Sequence, residues 1–293
     1  MKDQHIKQLL ELLLATLFIS TSGVLGKYID MPPPVTVWWR AFLASFFIYA
    51  YCRYKNISLK IESKKDLFTF ILSSLFMGGH WITYFYSLQL SNVALAMLSL
   101  FTFPVITALL EPLFIKVKFN PVHIFLGFIV LVGIYILVPD FDLNGSQTKG
   151  VLLGLLSALF YSLRLLLLKQ HVDKYNGSML MFYQIIILSV VLVPVLFTME
   201  TSGIKTQFPF VLLLALLTTA IGHTLFLQSL KYFTASTASI ISSIQPIFGI
   251  ILAYFFLNEI PTWNTFWGGF LILSTVVIES IRSRKNFEKL IND

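Results

Sequence analysis

The chain has 293 residues, of which 57% are hydrophobic and only 12% are charged, and its mean hydropathy is +0.81. A soluble fold of this size needs more polar surface than these residues supply, so the composition excludes an ordinary soluble domain. The net charge of +7 does not indicate a nucleic-acid partner, because no basic cluster carries interleaved aromatic residues.

Ten apolar segments follow one another along the chain, and each is close to the ~20 residues that cross a bilayer as a helix. Backbone groups in lipid must satisfy their own hydrogen bonds, and continuous apolar runs without period-two alternation favour helices over a β-barrel. The sequence therefore predicts an all-α membrane protein with the lipid bilayer as its solvent. The predicted spans are 6–28, 35–52, 67–88, 93–115, 121–139, 150–169, 179–199, 208–230, 234–257 and 261–281.

Basic residues fall almost wholly in alternate gaps between these segments. Of the 21 lysine and arginine residues, 16 lie in one set of gaps and three in the other. By the positive-inside rule, the crowded gaps are cytoplasmic, which predicts a multi-pass protein of the cell inner membrane with both termini in the cytoplasm. The crowded set is Lys2, Lys7, Arg53, Lys55, Lys60, Lys64, Lys65, Lys116, Lys118, Lys169, Lys174, Lys231, Arg282, Arg284, Lys285 and Lys289.

An offset of 142 residues aligns the two halves of the chain. Each half, 1–142 and 143–293, carries five predicted spans, and this odd number makes the second half enter the membrane from the opposite side. Two inverted five-helix repeats are predicted, an arrangement typical of alternating-access transporters with a central site. The aligned pairs include Lys27 with Lys169, Pro104 with Pro246 and Gly127 with Gly269.

Ionisable side chains inside the predicted spans each need a partner, a water-filled cavity or a functional role. Glu111 and Arg164 lie at similar depths near the cytoplasmic ends of the fourth and sixth spans. They are predicted to form a structural ion pair, and two alternatives are that Arg164 binds an anionic group of a substrate or that the side chains extend to the membrane surface without a further role. Arg40 is close enough to the outer end of the second span for its side chain to extend to the membrane surface.

Two histidines, His80 and His223, occupy corresponding places in the two halves, each beside glycine. Helical spacing puts His80, Tyr84 and Ser87 on one face of the third span, with Trp81 beside them. Contact with substrate, interhelical hydrogen bonding and proton relay all remain open as roles for the histidines.

Two prolines, Pro104 and Pro246, fall in the middle of predicted spans, where each removes a backbone hydrogen bond and can kink its helix or serve as a hinge. Polar side chains precede both prolines. They are candidate cavity groups, and the alternative is that their hydroxyls bond to their own helix backbone. These residues are Ser99, Thr102, Ser242, Ser243 and Gln245.

Several short motifs resemble those of the EamA family in the drug/metabolite transporter superfamily. One departure concerns an acidic loop residue that the family often carries in both halves: Glu259 follows Pro246 by thirteen residues, whereas Val117 is found at that distance from Pro104. The motifs are Ser22 to Lys27, Pro32 to Pro34, Trp39-Arg40, Ser87-Leu88 and Pro104, then Gly154 to Ser157, Phe160-Tyr161, Tyr183-Gln184, Ser236 to Ala238, Pro246 and Leu257 to Glu259.

This resemblance implies a ten-helix metabolite exporter or exchanger. Its central cavity would be lined by the first, third, fourth, sixth, eighth and ninth helices, which adds Tyr161 and Arg164 of the sixth helix to the candidate substrate-binding residues. The full candidate set is His80, Trp81, Tyr84, Ser99, Thr102, Tyr161, Arg164, His223, Ser243 and Gln245, with Pro104, Pro246 and Glu111 in structural or hinge roles.

The function predicted from these features is secondary transport of small metabolites such as amino acids, with a coupling proton left open. Import of a nucleotide-like or vitamin-like metabolite is the alternative. A passive channel is disfavoured because no charged ring or carbonyl filter is recognisable. An intramembrane enzyme with His80, His223 and Glu111 as metal ligands is also disfavoured, since no two of them share i, i+4 spacing. The sequence contains no catalytic or nucleotide-binding motif, and its single cysteine, Cys52, excludes a Cys-based metal site, so no cofactor or metal is predicted.

Overall fold

The computed structural model describes residues 2–114, 120–138, 142–172, 174–229, 232 and 241–292, with the side chains of 2–7, 279–280 and 282–292 excepted. Val117, the Ser236 to Ala238 motif and the start of the ninth predicted span lie outside the described residues. In order, the helices are α1 (Lys2–Tyr28), α2 (Pro33–Tyr54), α3 (Lys64–Leu90), α4 (Val93–Leu100), α5 (Phe103–Phe114), α6 (Val122–Leu137), α7 (Ser146–Lys169), α8 (Gly177–Val191), α9 (Val195–Thr198), α10 (Ile204–Leu213), the π-helix π1 (Leu214–His223), α11 (Thr224–Ser229), α12 (Gln245–Leu257) and α13 (Trp263–Asn292).

Helices occupy the described parts of all ten predicted segments, so the prediction of an all-helical fold is confirmed for the described part of the chain. Three of the spans are built from more than one helix: α4 with α5, α8 with α9, and α10 with π1 and α11. The six stretches that are long and apolar enough to cross a membrane by length and composition are Gln8–Tyr28, Pro33–Tyr54, Val93–Phe114, Ser146–Lys169, Gly177–Thr198 and Ile204–Ser229, and the shorter apolar helices are Val122–Leu137, Gln245–Leu257 and Trp263–Ile278.

Glycines allow close approaches between helices of the bundle. A Cβ added to Gly154 of α7 would lie 2.6 Å from the Cβ of Ser99 in α4, and one added to Gly79 of α3 would lie 2.9 Å from the Phe160 ring in α7. Away from this centre, α6 packs on α13, where a Cβ on Gly268 would lie 2.7 Å from the carbonyl oxygen of Gly133. Small residues at these points let backbones approach closely, as is usual for helices that pack within a membrane.

Apolar side chains cover the outside of the bundle. Aromatic residues of α6 and α13 are among those most exposed, and an exposed apolar surface of this kind is suited to lipid rather than water. The most exposed aromatic residues of these two helices are Phe125, Phe128, Tyr135, Trp263, Phe266, Trp267 and Phe270.

At one end of the bundle, a polar cluster joins the first turn of α3 to the loop before α8. The Asp66 carboxylate accepts hydrogen bonds of 2.7 Å from both Lys174 Nζ and the Tyr175 hydroxyl, and His171 Nε2 lies 3.2 Å away. The hydrogen bond from Lys174, followed by that from Tyr175, lowers the pKa of Asp66, and the same contact raises the pKa of Lys174. Two gaps of the basic set therefore meet on one face of the protein.

At the opposite end, the turn between α3 and α4 is held by two charged residues. Lys27 Nζ, at the end of α1, donates hydrogen bonds of 2.7 Å to the carbonyl oxygens of Leu88 and Ser91. Glu259, in the turn before α13, accepts a 2.8 Å hydrogen bond from the backbone N–H of Val93 at the start of α4. A cation at a helix C-terminus and an anion at a helix N-terminus both complement the helix dipole, so these contacts stabilise the turn.

Candidate functional site

A cavity lies at the centre of the bundle. Its volume is about 30 Å³, which is space for roughly two water molecules. The described conformation is therefore contracted around the cavity, and a metabolite of amino-acid size requires the lining side chains to move apart. The lining residues are Ile19, Ser22, Arg40, His80, Trp81, Tyr84, Met97, Leu100, Phe101, Phe103, Tyr161, His223, Ser242 and Gln245.

Helix interruptions occur where two spans reach the cavity. Phe101 and Thr102 separate α4 from α5, and a turn at 243–244 precedes α12, which begins at Gln245. Pro104 and Pro246 are each the second residue of the helix that follows. The expected kink in a continuous helix is therefore wrong: each proline starts a new helix. Proline is favoured at this position because its missing N–H would have no partner within the helix anyway.

The eighth span is irregular at the same depth. Its middle ten residues form the π-helix π1, which carries Thr218, Thr219 and His223. Long π-helical stretches are rare, and short ones occur frequently at functional sites. Here the consecutive hydroxyls of Thr218 and Thr219 both contact the same side chain of α2.

That side chain is Arg40, which is only 1% exposed. Its Nε donates a 2.6 Å hydrogen bond to Thr219 Oγ1 and its Nη2 donates a 2.9 Å hydrogen bond to Thr218 Oγ1, while the guanidinium carbon lies 3.8 Å from the Trp81 ring centroid. The prediction that Arg40 extends to the membrane surface is therefore wrong. Two hydroxyls and an aromatic face give the guanidinium partners inside the protein.

Arg164 is equally buried, but its partner is an amide. Its Nη2 and Nε lie 2.8 and 3.3 Å from Gln184 Oε1, and Gln184 Nε2 in turn donates a 3.1 Å hydrogen bond to Ser73 Oγ. This chain of contacts connects α7, α8 and α3. Arg164 itself does not line the cavity and lies behind Tyr161, whose ring centroid is 5.7 Å from the guanidinium.

The predicted ion pair between Glu111 and Arg164 is wrong. Glu111 instead forms an ion pair with Lys169, the last residue of α7. The Glu111 and Lys169 side chains are 29% and 46% exposed, whereas Arg164 lies more than one helical turn before Lys169 and is buried. Glu111 and Arg164 have similar depths along their helices but do not contact each other, because the Glu111 carboxylate is paired with Lys169 at the end of α7.

His80 both lines the cavity and connects two helices. Its Nδ1 lies 2.7 Å from Ser157 Oγ in α7, and the same hydroxyl donates a 2.9 Å hydrogen bond to the His80 carbonyl oxygen. The hydroxyl has only one hydrogen and donates it to the carbonyl oxygen, so it accepts the hydrogen bond from Nδ1. The other ring nitrogen, Nε2, takes no part in this contact. The His223 ring packs against Trp81, with centroids 5.7 Å apart.

Six of the ten residues predicted to bind substrate line the cavity: His80, Trp81, Tyr84, Tyr161, His223 and Gln245. Four do not. The hydroxyls of Ser99 and Thr102 donate to backbone carbonyl oxygens within the fourth span, Ser243 lies in the turn before α12, and Arg164 lies behind Tyr161. In the described part of the chain no three His, Cys, Asp or Glu residues form a group that could hold a metal ion, so Glu111 does not join the two histidines.

Sequence reasoning gave Arg40 the wrong role and missed Ser22 and the apolar wall. The adjacent threonines in the middle of the eighth span, Thr218 and Thr219, were a polar signal that could have suggested buried partners for the guanidinium. The apolar wall carries no sequence signal, because such residues are abundant in every span. It consists of Ile19, Met97, Leu100, Phe101 and Phe103.

Comparisons with known proteins give a consistent result. The model of the EamA-like transporter family matches residues 7–138 and 148–280. An uncharacterized transporter of Bacillus subtilis is 23% identical over 290 residues, which cover 95% of this chain and 91% of that protein. A pseudopaline exporter of Pseudomonas aeruginosa is 22% identical over 279 residues, which cover 93% of this chain and 96% of that protein.

Two further similarities are limited, one in the length that it covers and the other in sequence identity. An S-adenosylmethionine uptake transporter of Rickettsia felis is 35% identical over 97 residues, which cover 31% of this chain and 33% of that protein. A crystal structure with 15% sequence identity superposes with a TM-score of 0.70 and covers 95% of this chain and 98% of that chain. At this identity the structural match shows a common fold and nothing further.

Proposed function

Because the chain belongs to the EamA-like transporter family, we propose that it is a secondary transporter that carries a small organic metabolite through the central cavity by alternating access. The observation that carries this proposal is the meeting of two interrupted spans and a π-helix at one buried cavity. Interrupted helices at a central cavity are the usual way in which membrane transporters present polar groups to a substrate.

A buried hydroxyl at the cavity supports the same function. The Ser242 hydroxyl is 2% exposed and has no hydrogen-bond partner among the described residues. Leaving such a group unpaired costs free energy, so its presence in a cavity favours a ligand that completes it. Aromatic rings of Trp81 and Tyr161 supply apolar contact on the same walls, which suits an amphipathic metabolite such as an amino acid.

Export or exchange is proposed as the direction, because the similarity to a pseudopaline exporter spans nearly the whole chain. The second candidate is uptake of a nucleotide-like metabolite, which is favoured by the local similarity to an S-adenosylmethionine uptake transporter. That similarity covers about a third of the chain, so export or exchange is preferred.

The test is counterflow in proteoliposomes with a panel of radiolabelled amino acids and S-adenosylmethionine. We expect unlabelled compound inside the vesicles to accelerate entry of the same labelled compound, and Ser242→Phe, which fills the cavity, to abolish this exchange. Equal entry into protein-free vesicles, or full activity of Ser242→Phe, would contradict transport through this cavity.

The proposal includes two inverted repeats, 1–142 and 143–293, and cytoplasmic termini in the cell inner membrane. It predicts the accessibility of two exposed serines, Ser58 in the basic loop after α2 and Ser146 at the start of α7. In a Cys52→Ala background, Ser146→Cys should react with an impermeant maleimide in intact cells, whereas Ser58→Cys should react only after the membrane is opened. The reverse labelling would invert the orientation, and labelling of both in intact cells would refute the alternation of the loops.

A further inference from the structure

We propose that Arg40 binds the carboxylate of the transported metabolite, so that the substrates are small molecules that carry one carboxylate. This inference rests on the proposed transport function and names the chemical class of its substrate. It also assigns to Arg40 the anion-binding role that the sequence had offered to Arg164.

Arg40 is a buried cation whose hydrogen-bond partners are neutral. A guanidinium has five N–H donors, and the hydroxyls of Thr218 and Thr219 accept two of them. Both hydroxyls are neutral, and none of the ion pairs between described residues includes Arg40. A buried cation without a counterion is costly in a membrane protein. A substrate carboxylate would supply the missing charge and accept the remaining N–H donors.

The guanidinium of Arg40 is held in a fixed orientation. The Trp81 ring, 3.8 Å from the guanidinium carbon, supports one face, and the two threonines of π1 hold one edge. The remaining edge is therefore presented in a defined plane, and Arg40 lines the cavity. A planar carboxylate can accept two parallel hydrogen bonds from such an edge, which lysine could not provide.

The two buried arginines, Arg40 and Arg164, differ in their access to the cavity. Arg164 directs both Nε and Nη2 to Gln184 Oε1 and lies outside the cavity lining, behind Tyr161. Arg40 is therefore the guanidinium that a ligand in the cavity meets. Arg40 is the one guanidinium among the described lining residues, and its single charge matches a carboxylate better than the two charges of a phosphate monoester.

Neighbouring groups suit the rest of an amphipathic carboxylate. His223 packs against the same indole as Arg40, and Ser242 and Gln245 line the cavity at the start of α12. The Ser242 hydroxyl, which has no hydrogen-bond partner in the described part of the chain, can bond to an amino or hydroxyl group of the same molecule. The aromatic and aliphatic wall then contacts its apolar part.

The experiment changes one protein residue, Arg40, and one ligand group, the carboxylate, separately and together. Purified full-length protein is given L-amino acids and short hydroxy acids, each paired with its carboxamide, and binding is measured from the ligand-dependent melting temperature in detergent. The same pairs are used as competitors in counterflow. Wild type should bind the carboxylate member at least about tenfold more tightly than the carboxamide, the effect expected when a charge-assisted hydrogen bond is lost.

Arg40→Gln should remove this discrimination, and Arg40→Lys should retain part of it because the charge remains. Arg164→Lys is the matched control, a buried arginine changed in the same way outside the cavity, and should discriminate as wild type does. If Arg40→Gln does not fold, Thr218→Val and Thr219→Val free the guanidinium from its anchors and should reduce the discrimination.

The outcomes separate this inference from the transport function. Transport without preference for the carboxylate, or discrimination that persists in Arg40→Gln, overturns the role of Arg40 and leaves the transporter proposal intact. Arg40-dependent binding of carboxylates without exchange of any of them supports the site and contradicts transport. Neither binding nor exchange of any pair contradicts both.

Discussion

Replacing Gln184 with leucine is expected to lower the free energy of unfolding by about 3 kcal/mol. The substitution removes the acceptor of two Arg164 N–H donors and the donor to Ser73, all in the buried contact of α7, α8 and α3. Hydrogen bonds to a charged group contribute about 1.5–3 kcal/mol, and removing the Gln184 acceptor from a buried guanidinium adds a desolvation cost to this loss. The measurement is equilibrium unfolding in mixed micelles, followed by tryptophan fluorescence.

A double-mutant cycle distinguishes this contact from general loss of packing. Arg164→Leu should also destabilise the protein, but Arg164→Leu combined with Gln184→Leu should recover part of the loss, because an apolar pair of similar volume leaves no buried charge. Additive losses would contradict a direct interaction. Glu111→Gln serves as the control: its exposed pair with Lys169 contributes at most about 1 kcal/mol, and its effect should add to that of Arg164→Leu.

The pairs Arg164–Gln184 and Glu111–Lys169 were not predicted from the sequence, although the helices that carry them were. The helical segments were predictable because the bilayer demands about twenty consecutive apolar residues and internal backbone hydrogen bonds, and both demands leave a pattern in a single sequence. Side-chain partners leave no such pattern. Counting residues from a helix end gives only a depth, and Glu111 and Arg164 have similar depths. The orientation of α7 about its own axis nevertheless directs Arg164 towards Gln184.

The candidate site shows the same limit. The polar and aromatic face of α3 was predictable, because His80, Trp81 and Tyr84 would be poorly placed against lipid, and all three line the cavity. The direction of Arg40 depends on π1, and helical periodicity of 3.6 residues does not predict ten residues of wider helix. Pro104 was identified as a break in the fourth span, but whether it bends a helix or starts one depends on tertiary packing.

Replacing Pro104 with alanine is expected to slow exchange at least about tenfold while the melting temperature stays equal or rises. The new N–H can bond to the carbonyl oxygen of Leu100, four residues earlier, and so join α4 to α5 across Phe101 and Thr102. A continuous helix would withdraw the turn that lines the cavity and would remove the point at which the span can bend during alternation. One added backbone hydrogen bond stabilises by about 1 kcal/mol, so the loss of rate is not a loss of folding.

The chain offers a matched control for this change. Pro112 lies inside α5, well past the interruption, and Pro112→Ala also restores one N–H to the same span. Exchange by Pro112→Ala should remain near the wild-type rate, while Pro246→Ala, at the corresponding start of α12, should slow it as Pro104→Ala does. Counterflow rates and melting temperatures measured side by side decide the question. Wild-type rates in both cavity variants would show that alternation does not use these interruptions, and equal slowing by Pro112→Ala would show that the effect belongs to the span as a whole.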